Sequence, residues 1–152
     1  GVVVLAGLGG AVIALWPGTT NITGLRENLA PLDATVDVAA GEAIYTAQCA
    51  SCHGANLEGA PDWRSPGPDG KYPPPPHDES GHTWHHDDTM LFNYTKLGGD
   101  AAMAALGLEN ANSGMPAFAD ILTDAEIRDV LGYIKSTWPE RVRAAQAARS
   151  GG

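Results

Sequence analysis

The chain has 152 residues and a formal net charge of −9, concentrated in residues 33–138, which hold five Lys/Arg against sixteen Asp/Glu. That acidic excess argues against nucleic acid or an anionic lipid surface as a partner of this part of the chain. It suits either a docking face for a basic partner protein or an ordinary solubilising surface, and about a hundred residues suffice for one small domain.

The opening run from Val2 to Trp16 carries no charged or polar side chain, the pattern of a membrane segment or of a signal-peptide core. As a helix it would span about 24 Å, against about 30 Å for a hydrocarbon core. Val12-Ile13-Ala14 has the form of a cleavage signal, but we read residues 1–17 as an uncleaved transmembrane anchor, with Trp16 at the interface and Pro17-Gly18 ending the helix. Ala6, Gly10 and Ala14 fall four apart on one face, a small-residue stripe of the kind along which membrane helices pack, although such helices are rich in glycine and alanine anyway. Residues 18–36 read as a polar linker whose ends, as a flexible coil, lie about 25 Å apart.

Residues 37–139 read as the main domain. Near its start stands Cys49-Ala50-Ser51-Cys52-His53. Two thiols one helical turn apart can each form a thioether to a haem vinyl group, and the next residue then places an imidazole under the iron. A redox dithiol would need a neighbouring βαβ pattern, which the Gly/Pro-rich surroundings lack. A zinc site joining these thiols to His82, His85 or His86 would need a far shorter spacing. Both cysteines of the chain lie in the motif, so the reading is one covalent haem c and no disulfide.

Residues 54–81 are too rich in proline for regular structure and read as a loop wrapping the haem edge. His77, His82, His85 and His86 crowd the next stretch beside several acids. They suggest a second metal site or a distal histidine, but more simply a solvated turn in which Asp87 or His86 caps the following helix. Met90, Leu91, Tyr94 and Leu97 recur at helical spacing, and Gly98-Gly99 ends that helix. A short helix is predicted over 100–108. Thr123-Asp124-Ala125-Glu126 has the spacing of a capping box, followed by Ile127, Val130, Leu131 and Ile134 on one face. Residues 140–152 read as a C-terminal tail, solvated by default, with a short exposed helix or a docking arm as alternatives.

Gly41 and Tyr45 before the Cys49–His53 motif, and Ser113-Gly114-Met115-Pro116 before the last helix of the domain, make residues 37–139 resemble a class I c-type cytochrome. The resemblance implies a mainly α fold, a cytochrome c-like helical domain around one covalent haem, here preceded by the transmembrane helix. It implies that Gly41 lets the first helix cross the last closely and that Tyr133 is the aromatic partner of Tyr45. Cys49 and Cys52 then attach the haem, and His53 and Met115 ligate the iron. Met90 and Met103, in helical patterns, are read as packing residues. A loop proline carbonyl, Pro61 first, is expected to accept the other N–H of His53, and Trp84 and Tyr72 to line the pocket or to pack elsewhere. The implied function is single-electron transfer without catalysis, between membrane redox complexes such as a quinol-oxidising complex, a terminal oxidase or a photosynthetic reaction centre. The implied location is the bacterial inner membrane, with the haem domain on the periplasmic side. Two alternatives are a permanently docked haem subunit of such a complex, and a haem sensor or enzyme with an open sixth position.

Overall fold

Asp37 stands at the head of a run of helix-forming residues, and its carboxylate accepts the Ala40 amide at 3.0 Å, satisfying one of the orphan donors of a helix start. The computed structural model describes residues 35–151. The expected anchor at 1–17, and all of the expected linker before residue 35, lie outside the described residues. Among the described residues no helix is long and apolar enough to cross a membrane. Helix α1 (Val38–Ile44) runs on through a π-helical turn, Tyr45–Cys49, into α2 (Ala50–His53). Gly54, at φ +83°, ends this path.

Residues 55–82 form an irregular return. Proline cannot donate a backbone hydrogen bond, so its other amides tie it down: Gly59 N–H to the His53 carbonyl at 2.7 Å, Ala60 N–H to that of Pro74 at 2.8 Å, and His77 N–H to that of Leu57 at 2.8 Å. A single 3-10 turn follows at Thr83–His85. Helix α3 (Asp88–Leu97) begins where Asp87 accepts the Met90 amide at 2.7 Å and ends at Gly98. Helix α4 (Gly99–Ala105) is shorter than the expected 100–108, because the Leu106 and Leu108 amides both turn back to the Met103 carbonyl. Helix α5 (Asp124–Ser136) has the full capping box between Thr123 and Glu126.

The domain is arranged around α5. At Gly41, α1 crosses it so closely that a Cβ there would stand 2.9 Å from that of Tyr133 and nearer still to the Asp129 carbonyl. The Asp37 amide also donates to the Asp129 carboxylate at 2.9 Å. Leu131 and Ile127 of α5 join Leu91, Phe92, Phe118 and Leu122 in one apolar cluster. Val130 and Ile134 join Tyr45, Leu57, Trp138 and Val142 in another. One helix therefore supplies side chains to both.

The C-terminal segment differs from the solvated tail expected. It forms α6 (Glu140–Ser150), with Val142 in the second cluster and Gln146 fully buried. The Gln146 amide donates to the His86 carbonyl at 3.3 Å and to the Asp88 carboxylate. The segment looks solvated in sequence because only two of its side chains are buried, too few to set up a helical stripe.

Candidate functional site

His53 sits at the end of the helical path begun by α1, where Gly54 turns the chain away, and only 7% of it is exposed. Its Nδ1 lies 2.8 Å from the Pro75 carbonyl. A carbonyl only accepts, so Nδ1 carries the hydrogen and Nε2 keeps its lone pair. Burial lowers the tendency of the ring to protonate, against the opposing pull of the Pro75 carbonyl, so the ring is held neutral as a metal ligand must be. The expected acceptor, Pro61, is therefore corrected to Pro75. The bonds from Gly59 to His53 and from Ala60 to Pro74 fold the loop back so that the proline run beginning at Pro73, not Pro61, passes the ring.

Cys49 and Cys52 precede His53 on the same path, Cys49 partly buried against the second cluster and Cys52 exposed. Burial, with help from Cys52, pushes the free Cys49 thiol up to about 11. Cys49, Cys52, His53 and Met115 all line one cavity of about 960 Å³, whose walls include Leu91, Phe118, Leu131 and Ile134.

Met115 packs against the first cluster. It lies on a non-helical strap held at several points. The Tyr72 amide donates to the Asn112 carbonyl at 3.0 Å, and the Ser113 amide to the Asp100 carboxylate at 2.7 Å. The Tyr94 hydroxyl donates to Ser113 Oγ at 2.9 Å, and the Gly99 amide to the Met115 carbonyl at 3.1 Å. Gly98 leaves room for this strap, since a Cβ there would come within 2.9 Å of the Ala117 nitrogen. Met90 and Met103, expected as packing residues, also line the cavity, but from α3 and α4. Only Met115 combines cavity lining with a backbone held clear of any helix.

The histidines are not on a solvated turn, apart from His85. His77, His82 and His86 line the cavity and are partly buried. Among the described residues no group of three or more His, Cys, Asp or Glu side chains is placed to hold a metal ion. His82 stacks on Trp63 with ring centroids 4.9 Å apart, and its buried Nδ1 has no partner. Trp84 does not line the cavity; its Nε1 donates to the Glu79 carbonyl at 3.2 Å and its ring stacks on His85. Tyr72 does line it, with Trp63, Arg64 and Lys71, which sequence reasoning missed. The available signal was that Arg64 and Lys71 are the cations of the 54–81 loop.

These residues fit a haem. The cavity is large and mainly apolar-walled, two thiols and a neutral imidazole meet in it, and an unpartnered His82 nitrogen and two cations are at hand for the carboxylate arms of the porphyrin. No curated protein and no solved structure matches the chain. The family model for cytochrome c matches residues 38–138, and that family implies a covalently attached haem c, for which Cys49 and Cys52 are in place. With two thirds of its length matched and a haem-sized cavity behind its paired cysteines, the chain belongs to the cytochrome c family.

Proposed function

We propose that this protein is a membrane-anchored single-electron carrier, with Cys49 and Cys52 holding the haem and His53 and Met115 ligating its iron. A cytochrome c domain implies haem-based electron transfer, and the family consists typically of electron carriers. One observation carries the assignment of ligands: Cys49, His53 and Met115 line the same cavity, yet Cys49 packs against one core cluster and Met115 against the other.

When bound, haem supplies an iron centre that changes charge by one electron. The chain does the rest. Pro75 keeps His53 in the tautomer that offers Nε2, and the hydrogen-bonded strap holds the Met115 thioether, a soft ligand that raises the potential. Leu131, Ile134 and Phe118 exclude water from the cavity walls. His53 is held by the Pro75 carbonyl and the Met115 strap is pinned at several points, an arrangement suited to a site whose geometry changes little with charge.

The uncharged run from Val2 to Trp16 supports an anchor in the bacterial inner membrane, with the haem domain on the periplasmic side. The acidic balance of residues 33–138 supports partners with a basic face, such as a quinol-oxidising complex, a terminal oxidase or a reaction centre.

The test of ligation is the optical spectrum of the ferric protein. The weak red band of iron–sulfur ligation is expected in the native chain and absent in Met115→Ala. A native chain without the band, high-spin and quick to bind carbon monoxide, would replace the carrier by a sensor or enzyme. The anchor is tested by fractionation: the chain should stay with membranes through a high-salt wash and leave in detergent, and release by salt alone would reject it.

A further inference from the structure

His77 is not used by the ligation just described, yet its ring lies flat against that of His53, with centroids 4.0 Å apart and planes 24° apart. Several segments hold it there. Its Nδ1 lies 2.8 Å from Thr83 Oγ1, and that hydroxyl in turn donates to the Pro76 carbonyl at 3.4 Å. Through this hydroxyl the His77 ring is tied to the Pro76 backbone. The His77 amide donates to the Leu57 carbonyl, and the buried Trp138 Nε1 donates to the His77 carbonyl at 2.7 Å. Tyr45 meets the ring edge-on.

The Pro75 hydrogen bond fixes one atom of the His53 ring, but one bond leaves the plane free to rock about it. A flat ring clamped against its face removes that freedom. We propose that His77 is a positioning residue for His53, its stacked and clamped ring setting the rotation of the His53 imidazole about the axis through Nε2. The proposal rests on the reading of His53 as the iron ligand.

The orientation of a ligand plane sets how unpaired spin spreads over the porphyrin in the ferric state, so the readout is the pattern of haem-methyl proton resonances in the ferric full-length holoprotein. His77→Ala removes the plate and is expected to redistribute those resonances. His77→Phe restores a flat ring and should return the pattern towards that of the native protein. A merely structural role would lower the melting temperature in both variants and leave the pattern alone. A His77→Ala pattern superimposable on the native one overturns the proposal. If that variant does not retain haem, Thr83→Val, which removes the partner of Nδ1 at nearly constant shape, is expected to move the same resonances, and unmoved resonances overturn it instead. His53→Ala separates the two readings. If it leaves the native spectrum intact, the ligand assignment itself has failed; if it abolishes the low-spin spectrum while His77→Ala changes nothing, only the role of His77 has.

Discussion

At Gly41 the fold depends on one missing side chain. The α1 and α5 backbones approach there until a Cβ would press into the Asp129 carbonyl, which is main chain and cannot swing away. Gly41→Ala should therefore destabilise the holoprotein by about 1–3 kcal/mol through overpacking, although alanine is the better helix former. Thermal melting checks this, and an unchanged melting temperature would mean that the crossing has slack. The glycine and its companion aromatics were readable from sequence, since the Tyr45 and Tyr133 rings lie 5.5 Å apart. The acceptor for His53 was readable only as a type of residue. A proline carbonyl was the right chemistry, but every proline of the loop offers one, and the choice of Pro75 followed from how the loop returns. His77 was legible only as one of a histidine cluster and not as a neighbour of His53, because its stacking partner lies 24 residues away in sequence.

Among the elements, α3 and α5 were legible because cap and apolar period agree: Asp87 and Thr123 both accept the amides expected of them. The Thr123 amide and hydroxyl hold the Glu126 carboxyl below its ordinary value of 4.5. A carboxylate whose folded pKa is depressed contributes stability above the unfolded value and loses it as pH falls through the folded one. Stability from the capping box should therefore fade as pH falls below about 4.5. Glu126→Gln keeps an acceptor oxygen without the charge, so its melting temperature should fall less than that of the native protein on acidification. Parallel acid profiles would remove this carboxylate from the explanation. For α6 a short exposed helix was among the readings, and what was missed is its burial, because one buried apolar residue and one buried amide, Val142 and Gln146, make no apolar stripe. Its burial depends on the 83–88 segment, which Gln146 grips through His86 and Asp88.

For the whole molecule the cavity is the dominant fact. Its walls include Leu91, Phe118, Leu131 and Ile134, apolar surface that would face water in a chain without haem, and such exposure opposes folding. The chain prepared as Cys49→Ala/Cys52→Ala and extracted free of haem should lose its cooperative melt and much of its helical circular dichroism. A native-like melt in that variant would show that the polypeptide holds its fold alone. The sequence by itself determined the chemistry: paired cysteines with a histidine behind them, a methionine on a proline-stiffened loop, the caps that start the helices, and the acidic charge. Those features are local, since one helical turn sets the thiol spacing and one cap sets a helix start. What only the tertiary structure decided is which distant residues meet them: Pro75 and His77 at His53, Trp63 with Arg64 and Lys71 at the cavity, and α6 against the 83–88 segment. Such meetings depend on how a proline-rich loop closes and how α5 divides its side chains between two clusters, and neither leaves a periodic trace in the chain.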